Sequence, residues 1–482
     1  MHFAGRRDGA GNGKPNPQRA PANSDPELTD ESETSHRSVP SNWRLILSVF
    51  VPFVAGYYLS FLFRTINAAI SPALKSDFGL DAAQIGLLAS VYFLVFAGAQ
   101  LPIGVLLDRY GPRRVQSALL IIAVGGATLF GNANGFAELL IGRALIGLGV
   151  SAALMAALKA IVLWFPKERI ALVNGCTIML GSLGAVTATT PTDWLLNCIG
   201  WRTLFEALTV ATLAAAGLIY FLVPERDADP ICSSASGKRP TLRCIFSDRR
   251  FLRIAPLSAT CIGSSWALHS LWATSWLADV EGFDRQSMVN QLFTMAVGIS
   301  VGALLLGTMA DRLRRRGIAT EVLLAVVGGL LILAELALVW RLPLPSVLPW
   351  SVISVVGAGT VLSYAMIAEY FPNELAARAN GALNLLHFGW AFAVQYGTGL
   401  VVSQWPVQSG HYPVAAYQAA FGISLALQAA ALLWFAVPWL RSVVGYLYNS
   451  LARQDPRRDS HPGFVVVPGE GAILETYEQM EW

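Results

Sequence analysis

Charged residues are scarce in this sequence. Only 13% of its 482 residues are Asp, Glu, Lys or Arg, whereas 54% are hydrophobic. Soluble domains carry about 25% charged residues. This composition argues against a soluble enzyme of this length, because long segments of the chain contain almost no charge. We therefore expect a membrane protein that lies in a lipid bilayer and is not an enzyme.

The sequence also lacks metal-ligand spacings and nucleotide-binding motifs. Its five cysteines sit mostly in or beside apolar segments, which is typical of small buried or unpaired thiols. They are Cys176, Cys198, Cys232, Cys244 and Cys261. Without a phosphate-binding motif there is no sequence sign of ATP coupling. We expect no metal and no cofactor.

The N-terminal region lacks an apolar run. It is rich in Gly, Pro, Ser and acidic residues, a composition that predicts disorder. It is not a secretory signal, because it has no apolar core. The C-terminal tail is also polar apart from the string GFVVV. Neither tail suggests a role.

Long apolar runs are abundant, and a run of about 20 residues suffices to cross a bilayer. Backbone groups in lipid must satisfy their own hydrogen bonds, so these runs are predicted to be helices. Two of them, 170–191 and 254–278, are rich in Thr, Ser and Gly, which favours helices that face water inside a bundle. The twelve runs, numbered helix 1 to helix 12, are 45–70, 84–107, 114–133, 138–163, 170–191, 203–223, 254–278, 288–310, 321–340, 346–370, 377–402 and 415–438.

Basic residues predict the orientation of these helices. If the N-terminus is cytoplasmic, the inner loops carry seventeen Lys and Arg residues and the outer loops carry four. Cytoplasmic loops are enriched in Lys and Arg, so both termini are predicted to be cytoplasmic. The same rule explains the basic loops without a nucleic-acid partner. The expected location is the plasma membrane, which is the inner membrane of a bacterium.

The chain repeats itself. The string WFPKERIALVNG from Trp164 recurs as YFPNELAARANG from Tyr370, 206 residues later. The string GVLLDRYGPRR from Gly104 recurs as GTMADRLRRRG from Gly307, 203 residues later. Two copies of a six-helix unit with the same orientation explain both repeats, as in the halves of many transporters.

The predicted fold class is therefore an all-α membrane protein with twelve transmembrane helices in two similar six-helix halves. The predicted segments are a disordered cytoplasmic tail at 1–43, an N-terminal half at 44–223, a cytoplasmic linker at 224–253, a C-terminal half at 254–440 and a cytoplasmic tail at 441–482.

Two of these strings carry a resemblance to a known family. GVLLDRYGPRR, from Gly104 to Arg114, resembles the helix 2–3 signature of the major facilitator superfamily. RALIGLG, from Arg143, resembles its helix-4 signature. The resemblance covers roughly residues 44–440. It implies secondary transport, in which two halves rock around a central site.

The resemblance also implies a latch that holds the inner side closed. In the family, the residues that match Asp108, Arg109 and Arg113 form this latch. The copy after helix 8 is degenerate, because Arg314 stands where the family has Gly. The alternative is that these basic residues only keep the loops inside. The gating candidates are Asp108, Arg109, Arg113, Asp311, Arg312, Glu168 and Glu374; the two glutamates fall in the first turn of a helix, where negative charge complements the helix dipole.

A polar stripe in helix 1 predicts the central site. Its members are spaced three and four residues apart, which places them on one helical face. They are Tyr57, Ser60, Arg64, Asn67 and Ser71. A charge at the bilayer centre is costly, so such a residue usually lines a cavity or is paired. The alternative is that Arg64 snorkels to the outer surface.

Helices 7 and 11 carry similar stripes, with His269 and Trp272 on one and Asn384 and His387 on the other. Histidine titrates near neutral pH, so either one is a candidate carrier of a coupled proton. The alternative is a neutral imidazole satisfied by a neighbour. For Arg143 the resemblance suggests proton coupling, and the alternative is a structural tie to helix 1 or to a backbone carbonyl. The substrate-binding candidates are Tyr57, Arg64, Asn67, His269, Trp272, Asn384 and His387, and the proton-coupling candidates are Arg143, His269 and His387.

The charge balance of this predicted cavity favours an anion, because it offers arginine and histidine and no clear carboxylate in helix 1. The predicted function is proton-coupled uptake of a small organic anion by alternating access, in a monomer. Two alternatives stay open: export of a metabolite or drug, and a receptor or assembly factor of transporter fold that moves nothing. Lys159 is expected to snorkel and Glu335 to play a structural or pairing role.

Overall fold

The computed structural model describes residues 42–166, 169–225, 242–371 and 373–453. Within these ranges the chain is helical and contains no β-strand beyond an isolated bridge between Gln408 and His411. Nine of the described helices are long and apolar enough to cross a membrane, and a tenth apolar helix, Leu172–Thr187, is shorter. Two of the nine helices, Ala82–Gly131 and Thr190–Leu222, are kinked and each contains parts of two predicted helices.

The N-terminal half contains helices 1 to 6. Helix 1 consists of Asn42–Leu45, a π-helical turn Ile46–Phe50, Val51–Thr65 and Asn67–Phe78. Helices 2 and 3 form one continuous segment, Ala82–Gly131, with a kink at Gly111 between them. Helix 4 consists of Phe136–Val150 and Ala153–Trp164. Helix 5 begins as Ile170–Thr187 and continues into Thr190–Leu222, in which a kink at Gly200 marks the start of helix 6.

The C-terminal half follows a short helix, Leu242–Ser247, and contains helices 7 to 12. Helix 7 consists of Arg249–Ala267, a π-helical turn Leu268–Trp272 and Ala273–Asp279. Helix 8 is Arg285–Arg315, helix 9 is Thr320–Val339, and helix 10 consists of Val347–Gly357 and Thr360–Tyr370. Helix 11 is Asn373–Val402 and helix 12 is Val414–Arg453. The predicted fold class of twelve membrane helices in two halves is confirmed.

The internal repeat appears as matched local geometry. Gly79 and Gly282, 203 residues apart, both adopt left-handed conformations, with φ of 62° and 66°. Only glycine adopts this conformation without cost. Two residues later, Asp81 and Asp284 cap helices 2 and 8, each through a carboxylate that accepts a hydrogen bond from a backbone amide. The two turns are thus built in the same way.

The turn after helix 8 is the place where the copies differ. Helix 2 ends at Gly111, whose φ is 77°. The matching position is Arg314, and helix 8 runs through it to Arg315. The left-handed turn forms instead at Gly317, whose φ is 75°. An arginine resists the left-handed conformation, so the turn moves to the next glycine in the chain.

Two observed helix ends differ from the predicted segment boundaries. Helix 7 begins at Arg249, inside the predicted linker 224–253, because the Asp248 carboxylate accepts a hydrogen bond from the Arg250 amide and caps the helix. Helix 12 runs beyond residue 440 to Arg453, through a stretch with no proline to stop it. Most of the predicted linker and of both tails falls outside the described residues, so these segment assignments stay predictions.

The two halves meet most closely at one end of the bundle. We call the end that carries the loops after helices 2, 4, 8 and 10 the basic end, and the other the opposite end. At the opposite end helix 2 packs directly on helix 11: a Cβ placed on Gly399 would lie 2.6 Å from the Ala82 carbonyl oxygen and 3.3 Å from the Gly86 Cα. The guanidinium of Arg285, at the start of helix 8, lies 2.6 Å from the Asp193 carboxylate of the N-terminal half. These contacts close the opposite end.

Candidate functional site

A cavity of about 280 Å³ lies between the two halves. Helices 1, 2, 4 and 5 line it from one side and helices 7, 8, 10 and 11 from the other. Gly175, Leu304 and Thr360 belong to its wall and lie on the parts of helices 5, 8 and 10 that lead to the basic end. The cavity therefore extends from the middle of the bundle toward the basic end, away from the closed end.

Arg64 is the only charged side chain among the described residues that line this cavity. Its guanidinium carbon lies 4.0 Å from the centroid of the Phe61 ring and 5.1 Å from that of the Trp266 ring. Such cation–π contacts stabilise a desolvated cation in part. Within the described residues no carboxylate pairs with Arg64 and its guanidinium has no hydrogen-bond acceptor. The cavity thus presents an uncompensated positive charge.

The polar stripe of helix 1 is split between the cavity and the closed end. Tyr57, Ser60 and Arg64 line the cavity. Asn67 and Ser71 are buried and lie further along the helix, outside the cavity wall. The same helical face therefore lines the cavity as far as Arg64 and is buried between helices beyond it, because the two halves are apart near Arg64 and in contact further along helix 1.

A chain of side-chain hydrogen bonds crosses the cavity between the halves. The Tyr364 hydroxyl donates to Asn384 Oδ1 (2.7 Å), and Asn384 Nδ2 donates to Gln100 Oε1 (3.2 Å). Gln100 Nε2 donates in turn to the Ser151 carbonyl oxygen (3.3 Å). The chain links helices 10 and 11 to helices 2 and 4. We call Gln100 and Asn384 the amide bridge.

Sequence reasoning missed Gln100 and Tyr364 as members of the site. Gln100 is a single polar residue in an otherwise apolar stretch, and Tyr364 lies in a helix without a polar stripe like those of helices 1, 7 and 11. A lone glutamine in the middle of helix 2 is the signal that was available, since an amide in lipid needs a partner.

Of the candidates on helices 7 and 11, Asn384 alone lines the cavity. His387 is fully buried behind the wall, where its Nε2 lies 2.7 Å from the Ser258 hydroxyl. His269 and Trp272 lie in the π-helical turn of helix 7 and are buried. Trp272 donates its indole N–H to the Gln395 carbonyl oxygen (3.1 Å), which ties helix 7 to helix 11.

Arg143 is completely buried and does not line the cavity. Its Nη2 donates to the Phe63 carbonyl oxygen (2.7 Å), and its guanidinium lies 5.2 Å from the centroid of the Tyr92 ring. This contact is the backbone tie to helix 1 that the sequence offers as an alternative. Its Nε and Nη1 have no partner among the described residues. A role in proton coupling stays a prediction.

The gating candidates of the N-terminal half pair within that half. Lys159 Nζ lies 2.6 Å from the Asp108 carboxylate and also donates to the Leu107 carbonyl oxygen (2.8 Å). Lys159 thus extends its ammonium group toward the basic end, as expected of a snorkelling lysine, and there it meets the exposed Asp108 carboxylate of helix 2. Arg113 donates to the Tyr220 carbonyl oxygen (2.8 Å) on helix 6.

The gating candidates of the C-terminal half also pair within their own half. Arg314 bridges Asp311 (3.1 Å) and Glu369 (3.6 Å), which joins helix 8 to helix 10. Arg312 is exposed, and Arg109 lies over the Tyr110 ring. Glu168 and the side chain of Glu374 lie outside the described residues. Among the described gating residues no ion pair joins the two halves at the basic end, which agrees with a cavity that extends toward that end.

We expect Asp108→Asn to shift the protein further toward this state, open at the basic end, and to reduce transport. The exposed Asp108 carboxylate forms a surface ion pair, and such pairs contribute about 0–1 kcal/mol to stability, so the fold should survive. Labelling of single cysteines at the two mouths measures the shift. Asp248→Asn, an exchange in the helix 7 cap, is the control. Unchanged accessibility in Asp108→Asn would contradict a latch role.

The fold and the cavity agree with comparisons to known proteins. The sequence model of the Major Facilitator Superfamily matches residues 53–395, which is more than half of the chain. The chain belongs to this family of membrane transporters, which are not enzymes, and it is a multi-pass membrane protein.

Several curated relatives are similar over part of their length. A probable 4-methylmuconolactone transporter of Cupriavidus pinatubonensis is 27% identical over 72% of this chain and 80% of its own. A probable sulfoacetate transporter of Cupriavidus necator is 25% identical, and the match spans 54% of this chain and only 64% of that relative. A cis,cis-muconate transport protein of Acinetobacter baylyi is 25% identical over 57% and 68%.

Solved structures share the fold. A bacterial homologue of the human lysosomal transporter Spinster, in an inward-facing and occupied conformation, superposes with a TM-score of 0.64 at 18% identity, over 80% of this chain and 95% of that one. A D-xylose–proton symporter superposes with a TM-score of 0.60 at 14% identity, over 80% and 97%. At this identity the likeness establishes the fold alone.

Proposed function

We propose that this chain is a secondary active transporter that takes up a small organic anion by alternating access, coupled to protons. The observation that carries the proposal is Arg64, an uncompensated cation in a cavity between two halves that are closed together at one end only.

The energetic cost of this cation supports a ligand role. Placing an arginine at the centre of a membrane helix costs about 2.5–3.5 kcal/mol on insertion scales. A purely structural arginine recovers such a cost through protein acceptors, as Arg143 does in part with the Phe63 carbonyl oxygen. Arg64 has the two aromatic rings instead. Its guanidinium is free to grip a carboxylate through two parallel hydrogen bonds.

The Tyr57 hydroxyl beside Arg64 completes a binding site for an anion. Tyr57 and Tyr364 both line the cavity near Arg64. A phenolic hydroxyl that donates to a carboxylate oxygen forms a charge-assisted hydrogen bond, which is stronger than a neutral one. Cargo that reaches Arg64 from the basic end would therefore meet one cation and the Tyr57 hydroxyl, whereas the Tyr364 hydroxyl already donates to Asn384 Oδ1.

The relatives support the same class of cargo. Sulfoacetate and cis,cis-muconate are organic anions, and each is the named cargo of a relative. The positive-inside rule assigns the basic end to the cytoplasm. With that orientation the described conformation is open to the cytoplasm, as expected after an imported substrate has been released. Location in the plasma membrane, cytoplasmic termini and a monomeric state belong to the same proposal.

Transport into vesicles tests the proposal. The purified chain is reconstituted in liposomes, and accumulation of labelled carboxylates is followed with and without a pH gradient. We expect accumulation only with the gradient. Accumulation that needs the reverse gradient would indicate export instead, and the absence of both uptake and binding for every anion would favour a receptor that moves nothing.

The proton carrier gives a separate prediction. His387 faces Ser258, the Trp266 ring and Tyr364, and His269 is buried in the π-helical turn of helix 7. A histidine that loses its titratable ring can no longer bind the coupled proton. We expect His269→Gln or His387→Gln to abolish gradient-driven accumulation and to spare exchange of substrate across the membrane.

His411 provides a matched control for these variants. It lies in the loop after helix 11 and pairs with Asp279 (2.9 Å), away from the cavity. His411→Gln should therefore keep gradient-driven accumulation. If both interior variants also keep it in full, neither histidine carries the proton, and Arg143 becomes the next candidate.

A further inference from the structure

The walls of the cavity restrict the kind of anion that fits. We infer that this chain selects a singly charged organic acid with an apolar, ring-sized body, and discriminates against dianions and polyhydroxylated acids. The inference rests on the proposed function and adds the class of cargo to it. Four features of the cavity carry it: the number of cations, the aromatic wall, the state of the hydroxyls and the size.

A single cation compensates a single negative charge. A second carboxylate on the cargo would have to lie against the remaining wall, which offers no other charged side chain among the described residues. Arg143 cannot hydrogen-bond it, because Arg143 is completely buried behind helix 1. His269 and His387 are also behind the wall. An unpaired carboxylate there is disfavoured by loss of its hydration.

The wall beside the cation is aromatic and is formed by both halves, since the Trp266 ring contacts Arg64 at 5.1 Å. Phe96 of helix 2 stacks on Phe388 of helix 11 with ring centroids 4.0 Å apart, and Trp266 packs against Phe388 at 4.8 Å. All three line the cavity. A flat apolar body is stabilised on such a surface by burial and by offset or edge contacts between rings. A polyhydroxylated acid would gain neither the burial of apolar surface nor the contacts between rings.

Three serine hydroxyls of the cavity wall already donate their protons to the protein. Ser60 donates to the Val150 carbonyl oxygen (3.3 Å), and Ser151 donates to that of Leu148 (2.5 Å). Ser182 donates to the Met179 carbonyl oxygen (2.7 Å). A polyhydroxylated acid would exchange water for a surface with few free donors, so its hydroxyls would be left under-satisfied.

The size fits one ring with one acidic group. An enclosed apolar cavity of about 150 Å³ holds benzene. The cavity here measures about 280 Å³, which leaves room for a substituent and a carboxylate at Arg64. This volume is slightly below the range of about 300–1,000 Å³ that is usual for ligand pockets.

Binding of four matched compounds tests the inference on the purified, full-length protein by calorimetry. 4-Methylbenzoate is the singly charged ring, terephthalate replaces its methyl group by a second carboxylate at the far end, glucuronate is a polyhydroxylated monoanion, and 4-methylbenzamide is the neutral isostere. We expect 4-methylbenzoate to bind at least about tenfold more tightly than each of the others. Terephthalate or glucuronate binding as tightly as 4-methylbenzoate would overturn the inference and leave the anion proposal standing.

The other outcomes separate the inference from the proposal beneath it. If the amide binds as tightly as the acid, both the inference and the proposed anion site are wrong. If none of the four compounds binds, the inference about cargo class is wrong, and the vesicle test with other carboxylates decides the anion proposal. A variant tests the single-cation argument independently, because Met155→Lys would place a second cation in the cavity wall. It should raise the affinity for terephthalate relative to that for 4-methylbenzoate, and an unchanged ratio in a variant that still binds 4-methylbenzoate would count against the single-cation argument.

Discussion

Arg64→Ala is expected to remove anion binding while the fold survives. Hydrogen bonds to charged groups contribute about 1.5–3 kcal/mol each, so loss of a bidentate grip lowers affinity by about tenfold or more. Arg64→Lys should weaken binding strongly too, because an ammonium cannot reproduce the planar fork of a guanidinium. Folding should persist, because removal of a charge from a membrane helix relieves a desolvation cost. Calorimetry with the tightest-binding anion measures the effect.

Arg44 provides the control for this result. It lies in the first turn of the same helix, is exposed and is not part of the cavity wall. Arg44→Ala should bind anions as the parent does, and size-exclusion chromatography should show both variants folded. Parental affinity in Arg64→Ala would remove the main support for an anionic cargo, and with it the inference about cargo class.

Gly399→Ala is expected to open the opposite end and to reduce transport severely. The added Cβ would lie 2.6 Å from the Ala82 carbonyl oxygen and 3.2 Å from the Ala83 Cα, and backbone atoms of a packed helix cannot move aside alone. Overpacking of this kind costs about 1–3 kcal/mol. The clash exists only while helices 2 and 11 are in contact. Separation of the two halves at this end would remove the clash, and the packing within each half would stay unchanged.

Gly397→Ala is the matched control, because a Cβ at Gly397 on the same helix meets nothing within 4 Å. Opening is read by labelling a Thr274→Cys reporter, since Thr274 of helix 7 contacts the Ala68 carbonyl oxygen of helix 1 across the closed end. The native cysteines are first replaced. We expect faster labelling with Gly399→Ala than with Gly397→Ala. Equal rates would mean that this contact does not hold the halves together.

Much of the candidate site can be predicted from the spacing of polar residues within single helices. The polar face of helix 1 draws attention to Arg64 and Tyr57, and the stripe on helix 11 to Asn384; all three line the cavity, and their role in binding stays a prediction. The amide bridge could not be anticipated, because Gln100 and Asn384 are 284 positions apart and meet only when helices 2 and 11 are packed. Periodicity within a helix defines its faces and says nothing about which face another helix will meet.

The sequence by itself determined the number of membrane helices, the division into two halves and the repeat of their turns. Lipid imposes these features locally: backbone groups without water form helices, a crossing needs a fixed length, and left-handed turns need glycine, as at Gly79 and Gly282. Only the tertiary structure decided that His387 lies behind the wall, that Lys159 pairs with Asp108, and that the halves close where Gly86 meets Gly399. These outcomes depend on the rotation and approach of helices far apart in the chain, which are fixed by packing of both halves together.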